Sequence, residues 1–436
     1  MDRIKIVSNI NPYALAEGLT DKKIDWNKVS DPKAALEMIF GIPADRIFAP
    51  ESPLVSPNAA LDEDDNLHML DDAAAKVRLE TYLKESGSCA PRAMPADTPA
   101  AAPPASFEKI SHLLFPDAAA ADAPCGTPAP TAESEGEQVG DTEMWEPDFM
   151  VYADKGSFFV DAPEYNDPIQ GNLGDCYLIA AMTSIAWSRE YAIRNQMCYN
   201  NFSESTPEEM NALHLMRFYD RAKENWVQFY IDEYLPVYRN NMGHLIYARS
   251  KDPGEIWPGM IEHAYAMWKT DNYRYTNVKP CYPKIAGGNP GIAAQELLGG
   301  KLSFYRANSQ NKWKIWNAIV QSCSSFTHGS GSTYLHSGKT IHPVTACTEH
   351  HPVQRYVDAG CVAGHAYSVL GFLRENDRYY VILRNPWGRH PMTRYVRDGR
   401  WEFSHYGGYL ELGQDGIFAM DLDDFVIAFS EVETLR

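Results

Sequence analysis

QGNLGDCY, residues 170–177, is a glycine-containing turn that ends in a cysteine. It leads into CYLIAAMTSIAWSREYAI (176–193), whose Ala, Leu and Ile content predicts an apolar helix. Cys176 therefore opens the helix, where its sulfur lies at the positive end of the helix dipole beside unpaired backbone N–H groups. This position is expected to lower the pKa of the Cys176 thiol and to distinguish it from the other seven cysteines.

Two further motifs with reactive groups lie near the C-terminus, GHAYSV (364–369) and RNPWG (384–388). His365 heads an alternating pattern that predicts a strand, and an imidazole is the base and proton donor that a catalytic thiol needs. Asn385 can orient that imidazole by accepting its second N–H, and Trp387 can shield the bond from water. The three motifs together therefore indicate a thiol nucleophile assisted by an oriented imidazole.

The order Cys, His, Asn along the chain is that of papain-like thiol proteases. The three strings resemble the calpain family most closely, and the resemblance extends from about Met144 to the end of the chain. It includes the segments WV…IDEYLP (226–236), GEIW…EHAYA (254–266) and GG…ELLGG (287–300). The resemblance implies a cysteine endopeptidase that hydrolyses peptide bonds of protein substrates.

The resemblance also implies a role for each residue of the motifs. Cys176 would be the nucleophile, His365 the general base and acid, and Asn385 the group that orients the imidazole. Gln170 would donate its side-chain amide, together with the Cys176 backbone N–H, to the oxyanion of the tetrahedral intermediate. Trp387 would cover the His–Asn pair. The reaction would be acyl transfer to the thiol, followed by hydrolysis of the thioester.

The implied fold class is α+β, a papain-like two-subdomain calpain protease core with a helical and a β-rich subdomain. With 436 residues the chain exceeds one ordinary compact core, and dense Pro and Ala in one region favour an extended, solvated linker. The expected division is a small helical N-terminal region (1–85), a Pro/Ala-rich flexible linker (86–140), protease subdomain 1 with the Cys and the oxyanion Gln (141–287) and protease subdomain 2 with the His and Asn (288–436). Within the N-terminal region, Asp31 and Pro32 predict a helix start and Gly41 a helix end. The apolar spacing of NLHMLDDAAAKVRLETYLKE (66–85) predicts a second helical run.

In calpains, calcium bound in each subdomain controls the assembly of the catalytic residues. The matching positions of the first subdomain, Asp167 and Glu255, keep carboxylates, and the backbone carbonyls of Val160 and Ala162 are candidate further ligands. One Ca²⁺ site is therefore expected. The alternative is that Asp167 and Glu255 form a structural polar contact without a metal.

The second calcium site is expected to be degraded. Where calpains carry acids shortly after N-P-W-G, this chain has Arg389, His390 and Pro391, and Ile417 replaces a later Glu. The segment 327–364, rich in Gly, Ser and His, is expected to form a mobile flap over the cleft. Its Cys and His residues lack the regular four-ligand set of a zinc site.

The charge composition narrows the possible partners. Lys and Arg number 39 against 58 Asp and Glu, and residues 1–150 hold 27 acidic and 12 basic side chains. A net charge of −19 makes nucleic acid and anionic lipid poor partners, and no apolar run is long enough for a membrane span. Eight cysteines without a dense framework favour a reduced, cytoplasmic location.

The N-terminal region is expected to restrain the protease, with FEKISHLLF (107–115) as a possible intramolecular inhibitory segment in the cleft. Two other functions stay open. One is a catalytically silent calpain-like scaffold, and the other is an enzyme that transfers the acyl group to an amine. The intact set of motif residues argues against the scaffold, and the calpain-like strings argue against the acyl-transfer enzyme.

Overall fold

The computed structural model describes most of the chain outside one long segment. The described residues are 10–20, 24–26, 29–48, 54–56, 59–61, 67–69, 72–86, 149–194, 213–239, 241–274, 279–328, 335–404 and 408–436. They form a mixed structure of helices and sheets. The candidate inhibitory segment 107–115 and the expected linker, except Ser86, lie outside the described residues.

The N-terminal part contains four helices and a small antiparallel sheet. The helices are α1 (Pro12–Thr20), α2 (Pro32–Phe40), α3 (Ala44–Ile47) and α4 (Asp72–Ser86), and the sheet has the order β1 (Leu54–Ser56), β2 (Ala59–Leu61), β3 (Leu67–Met69). The start of α2 is confirmed, because Asp31 accepts hydrogen bonds from the backbone N–H groups of Lys33 and Ala34. Its end is confirmed as well, because Gly41 adopts a φ of 70°, which suits glycine.

One helical stretch expected in the N-terminal region includes a strand. A helical run was expected from Asn66 onward, but residues 67–69 pair with Ala59–Leu61 and the helix begins only at Asp72. An acidic residue is favourable in the first turn of a helix, and cross-strand hydrogen bonds satisfy the backbone before it.

The first part of the chain after Phe149 combines helices with short sheets. Its elements are β4 (Met150–Asp154), β5 (Pro168–Ile169), α5 (Cys176–Ser188), α6 (Glu190–Ala192), β6 (Leu213–Asp220), β7 (Asn225–Asp232), β8 (Tyr234–Tyr238), β9 (Asn241–Leu245), β10 (Arg249–Ser250) and α7 (Trp257–Lys269). The strands pair antiparallel as β4-β8-β9, β6-β7 and β10-β5. Residues 176–187 of α5 are all buried, as expected for a helix that is apolar on every face.

The second part is built on a nine-stranded sheet. Its elements are α8 (Pro290–Leu298), β11 (Leu302–Arg306), α9 (Lys312–Val320), β12 (Cys323–His328), β13 (Leu335–Thr340), β14 (Val344–Thr348), α10 (Gln354–Asp358), β15 (Ala366–Glu375), β16 (Arg378–Arg384), β17 (Val396–Arg397), β18 (Gly399–Glu402), β19 (Tyr409–Leu412), β20 (Ile417–Asp421), α11 (Leu422–Ala428) and β21 (Phe429–Leu435). The sheet order is β11-β21-β14-β15-β16-β20-β17, and β12 and β13 join it beside β15. Strands β18 and β19 form a separate pair.

The prediction that residues 327–364 form a mobile flap is wrong for the described residues of this segment. Strands β13 and β14 belong to the large sheet, and the buried side chains of Val344 and Ala346 contribute to its core. Residues 329–334 lie outside the described part of the chain. No helix among the described residues is long and apolar enough to cross a membrane.

Polar contacts fix helix α5 against the large sheet. Ser368 Oγ donates to the Ala180 carbonyl at 2.7 Å, and Trp187 Nε1 donates to the Leu370 carbonyl at 2.7 Å. Ser184 Oγ exchanges hydrogen bonds with the backbone of Val344. These contacts bring the first residue of α5 close to the start of β15.

Candidate active site

Cys176 is the first residue of α5 and is enclosed, with 5% of its surface exposed. Its sulfur accepts a hydrogen bond from the backbone N–H of Ala366, the residue after His365. Burial raises the pKa of the Cys176 thiol to about 12, and the charge of Asp175 acts in the same direction. The lowering expected from the helix end is therefore wrong for this enclosed state, because desolvation of the thiolate outweighs it.

His365 and Asn385 are in direct contact. His365 Nε2 lies 3.0 Å from Asn385 Oδ1, which also accepts the backbone N–H of Trp387 at 3.1 Å. An amide oxygen only accepts, so Nε2 carries the proton and Nδ1 is the basic nitrogen. Among the described residues, none forms a hydrogen bond with His365 Nδ1.

The surroundings of His365 keep its ring neutral. The Trp387 ring lies 4.9 Å from the imidazole between ring centroids, and the Tyr367 ring lies 5.0 Å away. Burial lowers the pKa of His365 to about 4, although its hydrogen bond to Asn385 opposes this shift. The base and the thiol are thus both uncharged, and both are shielded from water.

Gln170 lies on the loop before Cys176 and contacts the Asn385 loop. Its backbone N–H donates to the Pro386 carbonyl at 2.9 Å, and its side-chain amide donates to the Leu173 carbonyl at 2.6 Å. A Cβ atom at Gly171 would lie 2.1 Å from the Tyr247 carbonyl oxygen, so only glycine lets the loop pack here. The amide of Gln170 thus stabilises its own loop in this state.

A buried pair of carboxyl groups lies behind Cys176, and sequence reasoning missed it. The buried carboxyl groups of Asp175 and Glu262 interact electrostatically, and Glu262 accepts the backbone N–H of Ala248 at 3.0 and 3.2 Å. Burial raises the pKa of Asp175 to about 7 and that of Glu262 well above its ordinary value. Two carboxyl groups in contact cannot both ionise easily, so the pair holds a proton at neutral pH.

Three carboxylates form a candidate cation site beside β5 and β10. One oxygen from each of Asp167, Asp252 and Glu255 can be chosen so that the three lie within 4.8 Å of one another. Asp167 Oδ2 accepts hydrogen bonds from the Glu164 N–H at 2.6 Å and from Trp257 Nε1 at 3.1 Å. Its Oδ1 is buried and, among the described residues, has no hydrogen-bond donor.

This site fits a hard divalent cation. Desolvation and the neighbouring carboxylates raise the pKa of Asp167 to about 7, which shows how strongly the site lacks positive charge. Val160 donates its N–H to Glu255 Oε1 at 3.2 Å, and Ala162 lies two residues further along the same exposed loop. Asp252 was missed by sequence reasoning, although it lies only three residues before Glu255. An orphaned buried oxygen and three carboxylates suit Ca²⁺.

The residues of the expected degraded second site have other contacts. The guanidinium of Arg389 lies 4.7 Å from the ring centroid of Tyr13. Asp415 pairs with Lys251 at 2.8 Å, and Ile417 begins strand β20.

Arg384 connects the cation site to the His–Asn pair. Its buried guanidinium donates to the carbonyls of Asn166 at 2.9 Å and Pro168 at 3.0 Å, which flank Asp167. It also donates to Thr183 Oγ1 on helix α5 at 2.9 Å. Arg384 immediately precedes Asn385. One hydrogen-bonded network therefore joins three parts of the site, which are the loop around Asp167, the helix of Cys176 and the loop of Asn385.

Comparisons with known proteins agree with this geometry. Residues 133–436 match the family of calpain cysteine proteases. The chain is 28% identical over 451 residues to a thiol protease of Porphyromonas gingivalis (strain ATCC BAA-308 / W83), an alignment that covers 95% of this chain and 84% of that protein. It is 28% identical over 294 residues to a calpain of Schistosoma mansoni and 28% identical over 287 residues to Calpain-8 of Homo sapiens.

The two calpain alignments each cover 63% of this chain but only 34% and 36% of the relatives. The chain therefore spans most of the bacterial thiol protease and about a third of the length of these calpains. The family match covers more than half of the chain, and it includes all the residues of the site described above. The chain belongs to the calpain family of cysteine proteases.

Proposed function

We propose that this cysteine peptidase hydrolyses peptide bonds of protein substrates through Cys176, His365 and Asn385. The observation that carries the proposal is the hydrogen bond from His365 Nε2 to Asn385 Oδ1 under Trp387, with the sulfur of Cys176 at the adjacent Ala366 N–H. This bond leaves Nδ1 as the nitrogen that takes a proton.

In the proposed mechanism, His365 Nδ1 removes the thiol proton as the sulfur attacks the scissile carbonyl. The protonated imidazole then gives this proton to the leaving amine, and a thioester remains on Cys176. Water, deprotonated by the same nitrogen, hydrolyses the thioester and restores the thiol. Asn385 keeps the imidazole in the required tautomer throughout.

The oxyanion would be held by the Cys176 backbone N–H and by the Gln170 side chain. The contact between the Gln170 N–H and the Pro386 carbonyl supports this role, since it holds the loop against the catalytic residues. The Gln170 amide must turn from the Leu173 carbonyl towards the sulfur to donate to the intermediate. The structure thus represents a resting state in this proposal.

Activation requires a rearrangement of the papain-like halves that we propose for this core. Cys176 is the first residue of α5, and His365 immediately precedes β15. A small rotation of this helix relative to the sheet therefore changes the distance between the Cys176 sulfur and His365 Nδ1. In the enclosed state the thiol and the imidazole are both neutral, which supports the proposal that the enzyme changes between an inactive and an active arrangement.

We propose that Ca²⁺ modulates this switch through Asp167, Glu255 and Asp252, with the carbonyls of Val160 and Ala162 as further ligands. These carboxylates would hold the ion, and its positive charge would offset their mutual repulsion. The Arg384 contacts to Asn166 and Pro168 then relay the position of the loop to Asn385. We also propose a cytoplasmic location for the enzyme, which the free thiols of Cys176, Cys323 and Cys361 support.

The test compares hydrolysis of an unfolded protein substrate by the wild-type chain and by Cys176→Ala, each with Ca²⁺ and with a chelator. We expect cleavage by the wild-type chain, faster with Ca²⁺, and none by the variant. An added primary amine distinguishes transfer from hydrolysis, because amine-linked products would favour acyl transfer. Equal cleavage by both proteins would refute the proposal, and chelator-insensitive cleavage would refute the role of calcium.

A further inference from the structure

The N-terminal unit, defined as residues 10–48 together with helix α4, packs directly on the catalytic loops. The ring of Trp387 lies 6.3 Å from that of Tyr13 and 6.1 Å from that of Phe48, measured between centroids. Trp387 belongs to the same apolar cluster as the buried residues of α1, α2 and α4. Only 5% of its surface remains exposed. Trp387 is therefore enclosed between His365 and residues of this unit.

Backbone contacts tie the start of the unit to the loop before Cys176. Asn11 donates its N–H to the Gly171 carbonyl at 3.1 Å and its Nδ2 to the Gln170 carbonyl at 2.8 Å. The Asn11 Oδ1 accepts hydrogen bonds from the N–H groups of Tyr13 and Ala14, and it thereby caps α1. One side chain thus anchors both the helix and the Gln170 loop.

A polar rim surrounds this apolar contact. Arg389 stacks on Tyr13, and Glu17 pairs with Arg249 at 3.0 Å. A Cβ atom at Gly18 would lie 2.5 Å from the Tyr238 ring, so the helix approaches the protease at a distance that only glycine permits. An apolar centre, a charged rim and close packing are the features of a specific interface.

The chemistry of peptide cleavage places part of the substrate on this same surface. The imidazole must give its proton to the leaving amine, so the leaving half of the peptide has to pass beside His365. The Trp387 ring lies against His365, and the rings of Tyr13 and Phe48 lie against Trp387. The N-terminal unit and the leaving half of a substrate therefore require the same space.

We propose that the docked N-terminal unit is an internal cap, which excludes the leaving half of a protein substrate until the unit is displaced. The inference rests on the proposed function, since it assigns the leaving side from the role of His365. The proposal assigns the inhibitory contact to Asn11, Tyr13 and Phe48. It does not assign it to segment 107–115, which lies outside the described residues. Arg389 occupies a position where calpains carry acids. In this chain its contact with the Tyr13 ring helps to hold the cap in place.

The test uses the full chain with Tyr13→Ala/Phe48→Ala and the matched control Val77→Ala, an α4 side chain that is 62% exposed. Two substrates share the same acyl half: one has a leaving peptide of several residues and the other only a small aromatic amine. The double variant is expected to raise kcat/KM by about tenfold or more for the long substrate, since weakening the cap shifts its equilibrium towards the open state. The small amide should gain less than about threefold, and Val77→Ala should change neither rate.

A second readout, independent of activity, follows the cap itself. Hydrogen exchange of the Asn11 and Tyr13 amides should be slow in the wild-type chain and fast in the double variant. If the unit is released and hydrolysis of the long substrate is unchanged from wild type, the cap is refuted. If the unit is released and neither substrate is cleaved, the proposed function fails instead. The variant Glu17→Gln keeps an oxygen that can accept the Trp26 Nε1–H but removes the charge that pairs with Arg249, and it should raise the rate on the long substrate by about two- to threefold.

Discussion

Replacement of Asp175 by Asn should remove much of the pH dependence of stability of the protease. Asp175 and Glu262 are buried in contact with each other, and a wild-type pair without its proton would place two negative charges side by side. An Asn side chain can donate to Glu262 at any pH. The variant therefore keeps a hydrogen bond at this position without needing a proton.

The magnitude follows from the raised pKa of Asp175. Burial holds this pKa at about 7, against 3.8 for an ordinary Asp, although the contact with Glu262 acts in the opposite direction. A pKa that is raised in the folded state stabilises it fully below the unfolded value, and this stability is lost as the pH rises through the folded value. At about 1.4 kcal/mol per pKa unit, the loss between pH 4 and pH 8 is on the order of 4 kcal/mol. Asp175→Asn lacks this contribution.

The assay is thermal unfolding of the full chain between pH 4 and pH 8, for the wild type, Asp175→Asn and the control Asp377→Asn. Asp377 lies in an exposed turn. Because about 2 °C of Tm corresponds to 1 kcal/mol in a large domain, the wild type should lose about 8 °C more than Asp175→Asn over this range. The control should follow the wild type. Parallel Tm curves for wild type and Asp175→Asn would show that the pair does not hold a proton, and the reasoning would be refuted.

Three further changes test other parts of the site. Asn385→Ala should lower kcat for a peptide substrate by roughly 10²- to 10⁴-fold, because the imidazole loses its orientation; a loss below threefold would exclude this role. Asp252→Asn should weaken Ca²⁺ binding in calorimetry by at least about tenfold, whereas Asp377→Asn should bind Ca²⁺ like the wild type. Thr183→Val removes one acceptor of the buried Arg384 guanidinium and should lower the free energy of unfolding by about 1–3 kcal/mol in urea titrations. Unchanged stability would show that this hydrogen bond contributes nothing.

Features with local causes were predictable from the sequence. Asp31 and Gly41 bound helix α2 through contacts within a few residues, and both were predicted correctly. The contact between His365 and Asn385 was also expected, because motif order carries information about which residues meet. In contrast, the strand pairing of residues 67–69 competes with a helical pattern, and only the structure decides between the two.

The missed features all depend on contacts between distant parts of the chain. Glu262 lies 87 positions from Asp175, and Asn11 lies 159 positions from the Gln170 that it contacts. The pKa of Cys176 depends on burial by several elements, so its local position at a helix start predicted the wrong direction. Polar groups that meet over such distances leave no periodic pattern in the sequence.

The claim that Cys176 is the nucleophile can be tested by modification with an epoxide that inactivates thiol proteases. The full chain and the Tyr13→Ala/Phe48→Ala variant are each treated with and without Ca²⁺, and the adducts are located by mass spectrometry. Cys361 is a buried free thiol and serves as an internal control. We predict one adduct, at Cys176, with simultaneous loss of hydrolysis, and faster reaction in the variant. Absence of a Cys176 adduct in all four samples, or full hydrolysis after its modification, would contradict the assignment.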